Sequence, residues 1–121
     1  MNKVLITGIT GFAGSYLAEY LLSKKKHSVA GTYLFDDSLI NVNKIKDKID
    51  LIKIELSKKE NVFKLVKDTS PSLIFHLAAL TSPFDSFKNP IGTLMNNISL
   101  QINLLEAVRE FNLFKTKILI V

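Results

Sequence analysis

The first seventeen residues, MNKVLITGITGFAGSYL, confine the chain to very few folds. Lys3-Val4-Leu5-Ile6-Thr7 is a short apolar, β-rich run of the kind that forms a buried parallel strand. Gly8, Gly11 and Gly14 follow at once, and from Ser15 the apolar positions Tyr16, Leu17, Tyr20 and Leu21 have helical spacing. A tight strand-to-helix turn leaves the first backbone N–H groups of the helix unpaired and converging on one point, which is a ready anion site. Glycine suits it because a Cβ would block the turn, the approach of a pyrophosphate, or the packing of helix on strand. The spacing Gly-x-x-Gly-x-x-Gly is one residue longer than the usual Gly-x-Gly-x-x-Gly. Glycines also collect in ordinary turns, so placement carries the inference: directly after a strand and directly before a helix, the triplet points to a dinucleotide.

The rest of the chain alternates strand and helix. A helix over about 12–25 closes on Lys24-Lys25-Lys26, cations suited to a helix C-terminus. Ser28–Tyr33 predicts a second strand, Asp36–Lys48 a polar loop or short helix, and Asp50–Leu56 a third strand. Ser57, with Glu60 three residues on, predicts a capping box opening a helix to about Lys67. Pro71 restarts the chain into a fourth strand over Ser72–Leu77. A loop with Thr81, Ser82 and Pro83 leads to a long helix from Asn89-Pro90 to about Asn112, whose apolar pattern Asn97 and Asn103 interrupt. Lys117–Val121 is a fifth strand. Strands separated by helical crossovers require a parallel sheet with right-handed connections. The expected fold is therefore α/β: a Rossmann-type doubly wound sheet of order 3-2-1-4-5, with its ligand at the switch point between strands 1 and 4. One domain spans 1–121, and an apolar final strand with nothing to cover it suggests a chain cut after strand five.

Composition removes several classes of function. A chain of 121 residues, 47% apolar, is long enough for one hydrophobic core and not for two. It has no cysteine, hence no disulfide framework, thiolate nucleophile or thiolate metal site, and no metal is expected. No apolar run approaches a membrane span, and the sequence enters a strand without a secretory leader, so the expectation is a cytoplasmic protein. The net charge of +5 comes from fifteen lysines and a single arginine, Arg109. Nucleic-acid sites favour arginine and interleaved aromatics. The lysines fall instead at helix ends and loops, as on a solvated surface, and no nucleic-acid partner is expected.

Four motifs in order resemble the extended short-chain dehydrogenase/reductase family, the NAD(P)-dependent epimerases, dehydratases and reductases of nucleotide sugars. They are Thr7-Gly8-x-x-Gly11-Phe12-x-Gly14, His76-Leu77-Ala78-Ala79, Asn89-Pro90-x-x-Thr93-x-x-x-Asn97, and Leu104-Leu105-Glu106-Ala107-Val108-Arg109. Residues 8–22 look most like the GDP-mannose 4,6-dehydratase and GDP-4-keto-6-deoxymannose reductase branch. The resemblance implies that Gly8, Phe12 and Ala13 line the pyrophosphate while Gly11 and Gly14 admit it. It implies that Leu77, Ala78 and Ala79 floor the adenosine side. Glu55 would accept from the adenine amino group, with Leu56 beside it, and Thr81 and Ser82 would begin the substrate contacts. His76 reads as a core or strand-end histidine, and Asn97 as a tie between helix and strand. The long helix resembles one that relatives use in a dimeric four-helix interface, so a homodimer is plausible.

Two features depart from the pattern. An acidic residue at the end of strand two binds the ribose 2′-OH of NAD, and an Arg nearby signals NADP. Here Tyr33 and Leu34 occupy those places. Asp36 and Asp37 follow and would repel a 2′-phosphate, which favours NAD over NADP. The family's catalytic Ser/Thr and Tyr-x-x-x-Lys pair, in which Lys lowers the tyrosine pKa for general-base work, has no counterpart at the expected position. Those residues are expected beyond Val121. Tyr20-Leu21-Leu22-Ser23-Lys24 matches in letters but reads as a surface pair on the first helix. The implied activity is hydride transfer at a sugar C4 by a longer enzyme, this stretch alone being inactive. The alternative is a non-catalytic dinucleotide-binding module.

Overall fold

In the computed structural model, which describes residues 1–80 and 82–121, apolar strands pair side by side into one parallel sheet. β1 (Asn2–Thr7) runs through its middle, with Val4, Leu5 and Ile6 all buried. Burial on both faces replaces the alternation of a half-exposed strand with a continuous apolar run. β2 (His27–Tyr33) and β3 (Asp50–Lys53) lie on one side of β1. β4 (Leu73–His76) and β5 (Lys117–Ile120) lie on the other, giving the order 3-2-1-4-5. Leu5 sits level with Ala30 of β2 and Ile74 of β4.

The sheet divides two cores. On one face, Ile6, Ile9 and Val29 pack with Ala18 and Leu21 of α1 (Phe12–Ser23). On the other, Leu5 and Ile74 pack with Val62, Leu65 and Val66 of α2 (Lys59–Thr69) and with Leu100, Leu104 and Ala107 of a 21-residue helix, Pro90–Glu110. No helix among the described residues is long and apolar enough to cross a membrane. No cluster of metal-ligating side chains occurs among them.

Two local expectations change, at the start of α2 and in the loop after β4. α2 starts at Lys59 with Lys58 as an unbonded N-cap, not at Ser57. The Ser57 hydroxyl and amide both donate to Glu55 Oε1 instead, at 2.8 and 3.2 Å, a turn that competes with the capping box. The stretch expected as loop contains α3 (Pro83–Lys88), whose first turn is capped by Ser82 Oγ accepting from the Asp85 amide at 3.3 Å. A Ser-Pro-x-Asp sequence supplies the N-cap, the proline at the first helical position and an acidic first turn. The segment after β2 forms two 3₁₀ turns, Asp36–Val42 and Lys46–Lys48.

The long helix is α4 (Pro90–Glu110), and its two irregular asparagines have structural partners. Asn97 grips the backbone of Leu80, accepting from its amide at 2.8 Å and donating to its carbonyl at 3.2 Å. Asn103 donates to the carbonyls of Leu56 and Ser57 at 3.0 and 3.2 Å. Polar side chains on a packing face survive when they satisfy backbone groups of neighbouring loops. Both loops so held, after β3 and after β4, border the same cleft.

Candidate dinucleotide site

The cleft opens at the C-terminal ends of β1, β2 and β4, where the strand order reverses. It encloses about 540 Å³. Its walls come from Gly8, Thr10 and Gly11 of the glycine turn, Thr32–Phe35 at the end of β2, Ile54–Leu56 after β3, and Ala78–Leu80 after β4. Ser38, Asn41, Asn96 and Leu100 complete them.

The turn is built by close approach. Gly8 has φ +71°, and a Cβ on it would lie 3.0 Å from the Ala78 backbone. A Cβ on Gly14 would stand 2.4 Å from the Gly8 carbonyl oxygen and 2.9 Å from Ile9 Cα. Ile9 is fully buried, and its side chain occupies the space left by the missing side chain of Gly31 on β2. Thr32 holds the turn from below: its Oγ1 accepts from the Gly8 amide at 3.2 Å, and its carbonyl from the Ile9 amide at 3.0 Å. From above, Asn41 donates to the Thr10 carbonyl at 2.8 Å, and the Ser38 and Thr10 hydroxyls meet at 2.8 Å.

Gly11 is the N-cap of α1, without a side-chain cap. The first intrahelical bond runs from Ser15 N to Gly11 O, at 2.9 Å. The amides of Phe12, Ala13 and Gly14 therefore start the helix with no intrahelical partner, at the positive end of its dipole. Among the described residues no Lys or Arg lines the cleft, and Glu55 is the one carboxylate that does. The donors that an anion would meet here are the backbone N–H groups of the helix start and uncharged side chains such as Thr10, Ser38 and Asn41. The residues fit a dinucleotide.

The structure brings Gly8, Gly11, Glu55, Leu56, Ala78 and Ala79 together in this lining. Phe12, Ala13, Gly14, Asp36 and Leu77 lie outside it. Gly14 is buried behind the turn, and Phe12 is exposed at the helix start. Asp36 is exposed beyond β2, its carboxylate 3.1 Å from Lys53 Nζ. Ser82 faces the neighbouring hollow beside α3 and caps that helix. Thr81 lies outside the described residues. Tyr20 and Lys24 stack at the far end of α1, the ammonium 4.7 Å from the ring centre. The chain returns there to Asn2, the opposite end of β1 from the cleft. Sequence reasoning passed over Thr10, Thr32, Ser38, Asn41 and Asn96. Ser38 and Asn41, three apart in a polar stretch, were the legible signal: they share one face of a 3₁₀ turn.

Beneath the cleft, Thr7 closes β1 onto β4. Its Oγ1 lies 2.8 Å from His76 Nδ1 and accepts from the amides of Leu77 and Ala78, each at 3.1 Å. His76 is buried, and burial lowers its pKa from the usual value.

Comparison with known proteins agrees with this geometry. A family model described as GDP-mannose 4,6 dehydratase matches residues 5–121. The GDP-mannose 4,6-dehydratase of Yersinia enterocolitica is 35% identical over 117 residues, 90% of this chain and 32% of that protein. The solved UDP-Glc/GlcNAc 4-epimerase of Campylobacter jejuni superimposes with a TM-score of 0.86 at 25% identity, over 99% of this chain and 36% of that one. The UDP-glucose 4-epimerase of Thermus thermophilus, solved in complex with NAD, superimposes at 0.76 with 27% identity, over 92% of this chain and 35% of that one. The chain thus spans about a third of the length of the relatives it matches. With a glycine turn, a switch-point cleft and a family match running from β1 to Val121, the chain belongs to the GDP-mannose 4,6-dehydratase family.

Proposed function

We propose that residues 1–121 form one dinucleotide-binding domain, the cofactor half of a nucleotide-sugar dehydratase or epimerase that takes NAD and acts on GDP-mannose or a near relative. One observation carries the reading: the uncapped N-terminus of α1 meets the switch-point cleft through a turn whose glycines leave backbone N–H groups bare. Gly8, Gly11, Phe12, Ala13 and Gly14 hold the diphosphate, and Leu77, Ala78 and Ala79 floor the adenosine side. Glu55 and Leu56 meet the adenine, while Thr81 and Ser82 border the sugar. NAD, when bound, supplies the hydride acceptor for a sugar C4–H. The absence of Lys and Arg from the lining among the described residues supports NAD over NADP, since no cation there pairs with a 2′-phosphate. Asp36 beyond β2 is paired with Lys53 outside the lining and takes no part in that preference.

The chain alone does not complete the reaction. It spans a third of its relatives, and its Tyr-x-x-x-Lys lies at the end of α1 remote from the cleft. Ile91, Leu94, Met95, Ile98 and Ile102 form an exposed apolar stripe along α4, which supports a homodimer through that helix. Cytoplasm is the compartment in keeping with a soluble cofactor and sugar nucleotide. Calorimetric titration tests the reading. NAD is expected to bind more tightly than NADP, and GDP-mannose with NAD is expected to give no keto product. No heat with either dinucleotide overturns the cofactor assignment, and turnover by the purified chain overturns the expected inactivity.

A further inference from the structure

The hydroxyl of Thr7 has one proton and two lone pairs. It accepts from the amides of Ala78 and Leu77 at 3.1 Å each, the Leu77 amide being shared with the Thr7 carbonyl at 3.2 Å. The proton is left for His76 Nδ1, 2.8 Å away. An accepting Nδ1 satisfies the hydroxyl, the two amides and the ring together, and it puts the hydrogen of the neutral ring on Nε2. A second proton on the ring would set Nδ1–H against an oxygen that already accepts twice, and would strand the Thr7 hydrogen.

We propose that His76 is a positioning residue for the dinucleotide: its unprotonated Nδ1 fixes the Thr7 hydroxyl, which holds the Leu77–Ala78 backbone against Gly8 as the floor of the cleft. The contact it maintains is close. Ala78 Cα and N are 3.0 Å from where a Gly8 Cβ would be, and Ala78 itself lines the cleft. His76 faces Thr7 from β1 and lies level with Ile120 of β5. No charged group contributes to its lowered pKa, of which burial is the one cause. Protonation is therefore opposed both by burial and by the direction of the Thr7 hydrogen bond. Its sign is set: the group is neutral when the floor is intact, so cofactor binding is full above about pH 6.5 and declines as pH falls through the lowered pKa of the folded ring.

This inference rests on the dinucleotide reading for its effect on binding, and on the fold alone for its effect on the ring. Two measurements separate them. Nitrogen-15 shifts of the His76 imidazole in the ligand-free chain report the tautomer. A bare Nδ1 and protonated Nε2 at pH 7.5 are expected, with the protection of the Leu77 and Ala78 amides, relative to their intrinsic exchange rates, falling as the ring takes its second proton. The second is NAD affinity between pH 5 and pH 8. It is expected to weaken toward the acid end as the ring takes its second proton. His76→Asn retains an acceptor for Thr7 without titrating, and is expected to bind NAD with a flat profile over that range. Thr7→Val is expected to weaken binding about tenfold, the scale of one lost buried hydrogen bond, and Thr7→Ser to restore it. A ring protonated on Nδ1 at pH 7.5, or a His76→Asn chain that keeps the wild-type pH profile, overturns the proposal. If NAD binds at no pH, the dinucleotide reading fails, and the tautomer with the two amide exchange rates still decides the role of His76.

Discussion

Gly14→Val is expected to weaken NAD binding about a hundredfold, on a free-energy scale where 1.4 kcal/mol is a factor of ten. Two effects oppose each other at this position. Gly14 lies inside α1, where valine is the better helix former by only about 0.3 kcal/mol. Against that gain, a Cβ would stand 2.4 Å from the Gly8 carbonyl oxygen, 2.9 Å from Ile9 Cα and 3.0 Å from the Ile9 carbonyl oxygen. All three are backbone atoms of the turn, so no rotamer change relieves the overlap. The helix start must move away from the turn, at about 3 kcal/mol or more for forced overpacking. The clash wins, and it acts where the amides of Phe12, Ala13 and Gly14 would converge. Isothermal titration with NAD measures the effect. A variant that binds as tightly as the parent would show that the turn does not depend on this approach.

The second large effect comes from a residue with no place in any cofactor motif. Gly31→Ala is expected to lower the thermal midpoint by roughly 10 °C, taking about 3 kcal/mol of strain and a few degrees per kcal/mol for a domain of this size. Its new Cβ would meet Cδ1, Cβ and Cγ2 of Ile9 at 2.3, 2.5 and 2.6 Å. Ile9 is fully buried and lies between Gly8 and Thr10, so it is the peg by which the turn is seated on the sheet. Displacing it disturbs the core and the cleft together. Ile9→Ala alone opens a cavity, at about 2–4 kcal/mol. In the Gly31→Ala background the same change is expected to cost much less, because part of the volume it removes is then in conflict. A double-mutant cycle by chemical denaturation reads the coupling. Additive effects would contradict the peg-and-socket account.

What could be read from the sequence divides along physical lines. Continuous apolar runs in β1 and β4 and the helical period of α2 are local signals, and strand order follows from crossover handedness once the elements are known. The glycine triplet was equally legible because its spacing is short-range. The partners that pin the turn were not. Thr32, Ser38 and Asn41 reach it only because β2 lies beside β1 and the 3₁₀ turn after β2 folds back over Thr10, contacts separated by some twenty to thirty positions in the chain. Gly31 has no local signal of its role, and only the Ile9 side chain lying against it explains it. Ser57 failed as a cap for a related reason. A carboxylate two residues earlier offered its hydroxyl a nearer acceptor, and local rules do not rank such competitors.

The cofactor reading of this chain requires a diphosphate at the bare amides that open α1. Amide chemical-shift mapping on the nitrogen-15-labelled chain, titrated with NAD, tests that most directly. The account predicts saturable shifts centred on Phe12, Ala13 and Gly14, with weaker ones at Gly8, Glu55 and Ala78. Shifts confined to another surface, or none at millimolar NAD, would contradict it.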